Sequence, residues 1–224
     1  MDAQGQIVKE DRWLPNTVAV DFRDETMVIS SLNIPNHPTG IFPEQMGNRN
    51  HIQVQNEVVY LPLNPTPNPS AISMTYKNAN RALPMGPTGI AINGVVFYNP
   101  FDMGMEEAVN IMDRCCGHPD QRNRYHYHKY PVCTRSPFDD NGEEHSKLIG
   151  WAFDGFPVYG PYEGKGEMAM NSKSNPLNAF NIHYDKDRGW HYHVTPGKFP
   201  YIFGGYWGVS DPRNFPRHGP PGRP

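Results

Sequence analysis

The chain has 224 residues and a formal net charge of −3, so no global basic field points to nucleic acid. That length allows one large domain or two small ones, and no apolar run approaches the ~20 residues a membrane helix needs. Gly (21) and Pro (24) make up a fifth of the chain, against ~12% in an average protein. This predicts many turns and few long helices, while the spread of 12 Tyr, 11 Phe and 4 Trp argues against disorder.

The N-terminus, Met1-Asp2-Ala3-Gln4-Gly5-Gln6, does not read as a signal peptide. The chain is therefore either cytosolic or a mature chain whose leader was removed. Residues 1–15 read as a loose arm. Residues 17–22 and 26–30 read as two short strands around the polar turn Arg23-Asp24-Glu25. The stretch 33–50 is turn-rich, with Pro35, Pro38, Gly40 and Pro43; His37 and His51, placed singly in polar loops here and just beyond, read as solvated rather than as ligands. Residues 52–60 alternate and then become apolar, as strands do. Asn64-Pro65-Thr66-Pro67-Asn68-Pro69 is a stiff connector. Residues 1–80 form a β-rich extension expected to pack on the core, 81–208.

Within that core a hairpin over 89–98 turns at Asn93-Gly94. The best helix is predicted over 103–112, with Glu106 and Glu107 in its first turn and Ala108, Val109 and Met112 on one face. It ends at Cys115-Cys116-Gly117, and His118-Pro119-Asp120 follows. A second hairpin over 147–159 turns at Asp154-Gly155. Residues 163–175 read as a surface loop, and 189–194 as a strand. The tail, 209–224, holds Pro and Arg without apolar periodicity and is expected to be flexible or draped on the surface.

Two stretches stand out: Arg124-Tyr125-His126-Tyr127-His128 and Gly189-Trp190-His191-Tyr192-His193. In a strand, residues i and i+2 face the same way, so His126 and His128 project together, as do His191 and His193. The echo extends further. Ala91 to Pro100 and Ala152 to Pro161 share Ala, Gly, Tyr and Pro at the same places, and Asn93 matches Asp154. Asp120 and Asp185 each lie six residues before the first histidine of a pair. This reads as an internal duplication of roughly 60 residues. The expected fold is mainly β with one short helix, its core built of two halves related by a pseudo-twofold axis. Such packing would bring both histidine pairs to a shared junction.

Cys115 or Cys116 could bridge to Cys133, closing a loop of ~17 residues worth about 3 kcal/mol in the loop-entropy model. The alternative is three reduced thiols in a cytosolic protein. The local cysteine pair and the Pro-rich strands favour an oxidising compartment, extracellular or periplasmic.

Taken together, Cys115-Cys116-Gly117-His118-Pro119, Tyr125-His126-Tyr127-His128, His145-Ser146-Lys147-Leu148-Ile149-Gly150, Asp154-Gly155-Phe156-Pro157-Val158-Tyr159-Gly160-Pro161 and His191-Tyr192-His193-Val194-Thr195-Pro196 resemble the YHYH domain family. The likeness covers roughly residues 85–205, with several motifs in the right order. The family pattern has Cys-Asn-Gly-His-Pro, so Cys115 takes the family cysteine's place and Cys116 replaces the Asn. The resemblance therefore implies a Cys115–Cys133 bridge with Cys116 as the extra thiol, and an exported protein. It implies no particular reaction.

Four imidazoles in two pairs suit a transition metal, copper or zinc, with His126, His128, His191 and His193 as ligands and His118 and His145 in reserve. Asp154 could orient a ligand histidine or act as a general base; a tight turn explains it equally well. A catalytic site could run metal-dependent hydrolysis or redox chemistry beside Tyr125, Tyr127, Trp190 and Tyr192. The competing reading is a secreted, non-enzymatic module that recognises a small molecule, glycan or protein partner, with structural histidines. Asp120, Asp185 and Asp187 could then bind calcium, although neither turn supplies the 6–8 oxygens required.

Overall fold

Short aromatic and β-branched stretches cut by Gly and Pro sustain strands but not long helices. The computed structural model has this character over the residues it describes, 17–43, 47–102, 107–108, 111–134 and 140–215. An N-terminal sheet of three antiparallel strands runs in the order β1 (Val18–Arg23), β2 (Thr26–Ser31), β3 (Glu57–Pro62). A single helical turn, α1 (Ala79–Ala82), precedes the main sheet. That sheet takes in β4 (Pro87–Ala91), β5 (Val96–Tyr98), β6 (Gly117–Pro119), β7 (Tyr125–Tyr127), β8 (Leu148–Ala152) and β9 (Pro157–Tyr159). After a two-stranded hairpin, β10 (Tyr162–Gly164) and β11 (Glu167–Met168), β12 (Ile182–Asp185) and β13 (Gly189–His193) complete it. Its order is β12-β13-β9-β8-β4-β5-β7-β6.

The order reads the same from either end. β4 is antiparallel to β5, β5 is parallel to β7, and β7 is antiparallel to β6. On the other side β8 is antiparallel to β9, β9 is parallel to β13, and β13 is antiparallel to β12. The halves meet where β4 and β8 pair antiparallel, with Gly89 opposite Ala152, Ile90 opposite Trp151 and Ala91 opposite Gly150. Small residues are required at this seam. A Cβ on Gly89 would lie 2.5 Å from the Trp151 carbonyl oxygen, and one on Gly150 would meet the Ile90 carbonyl.

The N-terminal sheet lies over this seam. Ile29, Val59 and Leu61 pack with Ile90 and Phe153 in one apolar cluster. Both hairpin turns tuck beneath it. Gly94 (φ 84°) sits against Ser31, whose hydroxyl donates to the Gly94 carbonyl at 2.8 Å, and Gly155 (φ 88°) sits against Pro62. The opposite face carries the larger core, with Phe97, Tyr125, Tyr127, Phe156, Tyr192 and Phe203 among its members.

Two expectations need revising. Of the helix expected over 103–112, positions 103–106 and 109–110 lie outside the described residues. Glu107 is described and is not helical: it forms an isolated antiparallel bridge with Phe101, and its carboxylate accepts from Tyr76 and Tyr201. Residues 52–56 are not strand, because their backbone finds only scattered ties, such as Gln53 N–H to the Asn123 carbonyl. Of the tail expected to be flexible or draped on the surface, the part to Phe215 lies against the N-terminal sheet: Asn214 accepts from the Tyr60 N–H and donates to the Tyr60 carbonyl. The arm 1–15 and positions 216–224 lie outside the described residues.

Cys115 and Cys133 form a disulfide across 18 positions, and Cys116 is free and half-buried. Severing the bridge with Cys133→Ser is expected to lower the free energy of unfolding by about 3 kcal/mol, read by urea denaturation.

Asp154, fully buried, clasps its own turn and the far loop. Its carboxylate accepts from the Tyr192 hydroxyl at 2.6 Å, the Gly208 N–H at 2.9 Å and the Phe156 N–H at 3.3 Å. Burial raises its pKa to about 6, against 3.8 when exposed, although these hydrogen bonds pull the other way. The folded state therefore holds the proton longer. The carboxyl's contribution to stability is complete below about pH 4 and is lost as pH rises through 6. Asp154→Asn should remove that dependence. Between pH 4 and 7 the wild type should lose about 2.4 kcal/mol relative to the variant in urea unfolding.

Candidate metal centres

The alternation of a strand places His126 and His128 together on one side of the sheet and sends Tyr125 and Tyr127 to the other; β13 does the same for His191 and His193. The two pairs do not meet. Four strands separate β7 from β13, which at ~4.8 Å per strand puts the pairs about 24 Å apart. The shared junction expected from the duplication is thus corrected: the halves join through β4 and β8, and each histidine pair lies near an outer end of the sheet.

Each pair instead recruits neighbours from its own half. Antiparallel register sets His118 of β6 opposite His126 and His183 of β12 opposite His191. The result is two three-histidine clusters, His118/His126/His128 and His183/His191/His193, all at most 3% exposed.

The second cluster is richer. His145, just before β8, and Glu163, on β10, complete it, so that its donors form two overlapping triads sharing His193. Four backbone carbonyls orient the rings. Nδ1–H of His145, His183, His191 and His193 donates to Ser146, Asn175, Gly189 and Gly160 at 2.8, 2.9, 2.9 and 2.5 Å. A neutral imidazole has one N–H, so each Nε2 is left with a lone pair turned inward. His183 and His191 bring their Nε2 atoms to 3.0 Å, and a Glu163 oxygen lies 3.1 Å from His183 and 3.3 Å from His193. Asp185 is farther off, 3.7 Å from His191. The buried Nε2 of His145 and of His193 have no hydrogen-bond partner in the protein, and the buried Glu163 oxygen gains one only when His183 carries a second proton.

Protonation does not resolve this crowding. Burial holds His193 well below the usual imidazole range and pushes His191 down to about 4. His145 is lowered too, again mainly by burial. His183 is the exception: burial opposes its charge, but the Glu163 carboxylate and the Asn175 carbonyl more than offset that. A single proton on His183 leaves His145 and His193 bare.

The first cluster follows the same plan with one difference. Nδ1–H of His126 donates to the Arg124 carbonyl at 3.0 Å, and that of His128 to the Asn99 carbonyl at 2.5 Å. Their Nε2 atoms face each other at 2.8 Å, and His118 Nε2 lies 2.9 Å from His128 Nε2. Burial holds His126 well below its usual range and pushes His128 down to about 3. The Tyr98 ring stacks on His126 with centroids 3.7 Å apart. This cluster also lines a cleft of about 840 Å³, shared with Met85, Tyr98 and Asp102.

The remaining expected residues fall as follows. Asp154 grips Tyr192, on the face turned away from the imidazoles, and no histidine is among its hydrogen-bond partners. Tyr125, Tyr127 and Tyr192 are core residues whose hydroxyls bond Asp113, Asn93 and Asp154; the aromatic rings beside the imidazoles are Tyr98 and Tyr159. His37 is buried and accepts from the Tyr127 hydroxyl, not solvated; His51 is exposed. Asp120 and Asp185 use Oδ1 to cap the backbone N–H groups of their own turns. Sequence reasoning missed His183 and Glu163, yet both carried a signal. His183 precedes His191 by eight residues, as His118 precedes His126, and Glu163 follows Asp102 by the 61 residues that separate Ala91 from Ala152.

Residues 58–176 match the family model described as YHYH protein, just over half of the chain. The match runs from β3 through β11, taking in the first cluster, His145 and Glu163, and ends before the strands that carry His183, His191 and His193. Searches of the curated proteins and of the solved structures found no match.

Proposed function

The chain belongs to the YHYH protein family, and on that footing we propose that it is a transition-metal-binding protein whose principal site is the cluster of His183, His191, His193, His145 and Glu163. One observation carries the reading: the buried Nε2 atoms of His145 and His193 lack a hydrogen-bond partner, and they sit in two close-set donor triads, His145/His191/His193 and Glu163/His183/His193, that share His193. Each such atom left unpaired costs about 1–3 kcal/mol, and a cation bound within either triad would relieve the atoms that triad contributes. The spacing suits one. A tetrahedral metal with ~2.05 Å bonds sets its nitrogen ligands about 3.3 Å apart, close to the 3.0 Å between His183 and His191, the 3.1 Å between His183 and Glu163 and the 3.3 Å between His193 and Glu163.

Imidazole donors with one carboxylate select copper or zinc over calcium or magnesium. The carbonyls behind the rings fix each tautomer for ligation. A site with this many protein donors is closed, which favours holding a metal over turning over a substrate. The mirrored pairing order of the main sheet, the Gly89/Gly150 seam and the matched histidine spacing support descent of the two halves by duplication. The Cys115–Cys133 bridge supports an exported protein.

The full chain, incubated with zinc or copper and then freed of loose metal, should retain metal at this site by mass spectrometric analysis. Saturating metal at about 100 times its Kd should raise stability by about 2.7 kcal/mol. His193→Ala should weaken that binding by more than about 100-fold, since even changes to residues behind the ligands cost 10–100-fold. Absence of retained metal, or wild-type affinity in His193→Ala, would overturn the reading.

A further inference from the structure

The two clusters are not equivalent, and the difference lies in one hydrogen bond. In six of the seven imidazoles Nδ1 faces a backbone carbonyl; in His118 it faces the side-chain amide of Asn48, 2.9 Å away. The orientation of that amide is settled by its other partners. Asn48 Oδ1 accepts from the Asn50 N–H at 2.9 Å, and Asn48 Nδ2 donates to the Pro119 carbonyl at 2.7 Å. Nδ2 can therefore only donate to His118, so His118 Nδ1 carries the lone pair and the proton of the neutral ring sits on Nε2. That proton points at His128 Nε2, 2.9 Å away. Asn48 and His118 are both buried, so solvent does not rescue the other tautomer.

The geometry points to a second metal site of different character, resting on the reading proposed above. His126 and His128 are its two imidazole ligands; when the metal takes the His128 lone pair, the His118 N–H, held in that tautomer by Asn48, is left to donate to an external ligand on the metal. Where the principal site offers four histidines and a carboxylate, this one offers two histidines and opens on the cleft. Its remaining coordination positions are left for ligands from solution. It takes zinc or copper more weakly, exchanges it faster, and accepts a small external anion on the metal.

The test is a competition titration of the full chain with zinc or copper(II), in wild type and in His193→Ala, which silences the principal site. Two classes of site are expected, the weaker one lost in His126→Ala or His128→Ala. His118→Ala should change the weak site by less than about threefold, the margin of a residue that does not ligate. Asn48→Ala frees His118 to present Nε2 and should tighten that site about tenfold, the scale on which groups behind a ligand act. Azide added to the copper(II) form should give a new charge-transfer band from the weak site and none from the principal one. Nitrogen NMR of the metal-free protein should show the His118 proton on Nε2 in wild type. The inference is overturned if His118→Ala costs as much as His126→Ala, if Asn48→Ala weakens the site, if azide gives no band, or if His118 carries its proton on Nδ1. A single retained metal, lost with His193, would overturn this inference and leave the principal site standing. A chain that binds no metal sinks both. Retention of the principal site's metal in each first-cluster variant reports that the variant is folded.

Discussion

A neutral imidazole has one proton to place, and in this fold nearly every buried one places it on a backbone carbonyl. Six of the seven rings in the two clusters donate from Nδ1 to Arg124, Asn99, Ser146, Asn175, Gly189 or Gly160. Two of these carbonyls, Arg124 and Gly189, lie two residues before the histidine, one just ahead of β7 and one at the start of β13. Two more, Asn99 and Gly160, follow β5 and β9, the strands paired parallel to β7 and β13. Ring orientation is therefore a by-product of how the strands pair. The fold need not position the nitrogens one by one; forming the sheet leaves the lone pairs pointing inward.

That dependence explains which parts were legible in the sequence. The β1–β2 hairpin and the Asn93-Gly94 and Asp154-Gly155 turns are local, and a few neighbouring residues announce them. The facing of His126 with His128 follows from strand alternation alone. The separation of the two pairs does not, because it depends on β5–β7 and β9–β13, parallel pairings between segments far apart in the chain. The echo between the two stretches is visible in the sequence, but it does not tell that the halves join through β4 and β8 and leave the histidine pairs at the far ends rather than at the junction. Asn48 could not have been found this way: its contact with His118 spans 70 positions, and no spacing rule connects a turn-rich loop to a strand in the other sheet. His183 could have been, had the eight-residue interval before each histidine pair been compared.

The tyrosines that alternate with the histidines serve the opposite side of the sheet. Tyr127 and Tyr192 bring their hydroxyls to Asn93 and Asp154, the residues that make the two hairpin turns. Each motif strand thus fastens a turn on one face while presenting imidazoles on the other. The turns in turn seat the N-terminal sheet, through Ser31 at Gly94 and Pro62 at Gly155. Residues 17–62 are consequently tied to the core at both hairpins and also supply Asn48 to the first cluster.

The edge-to-edge joining has an electrostatic consequence. Across about 24 Å, two unit charges at the effective dielectric of about 20 that suits buried sites interact by about 0.7 kcal/mol. Charge gained at one histidine cluster is therefore felt only modestly at the other. Had the pairs met at the junction, a first cation would have repelled a second. Set at opposite ends of one sheet, the two clusters are coupled far less than adjacent ones would be, so a change in the charge or chemistry of one leaves the other nearly as it was.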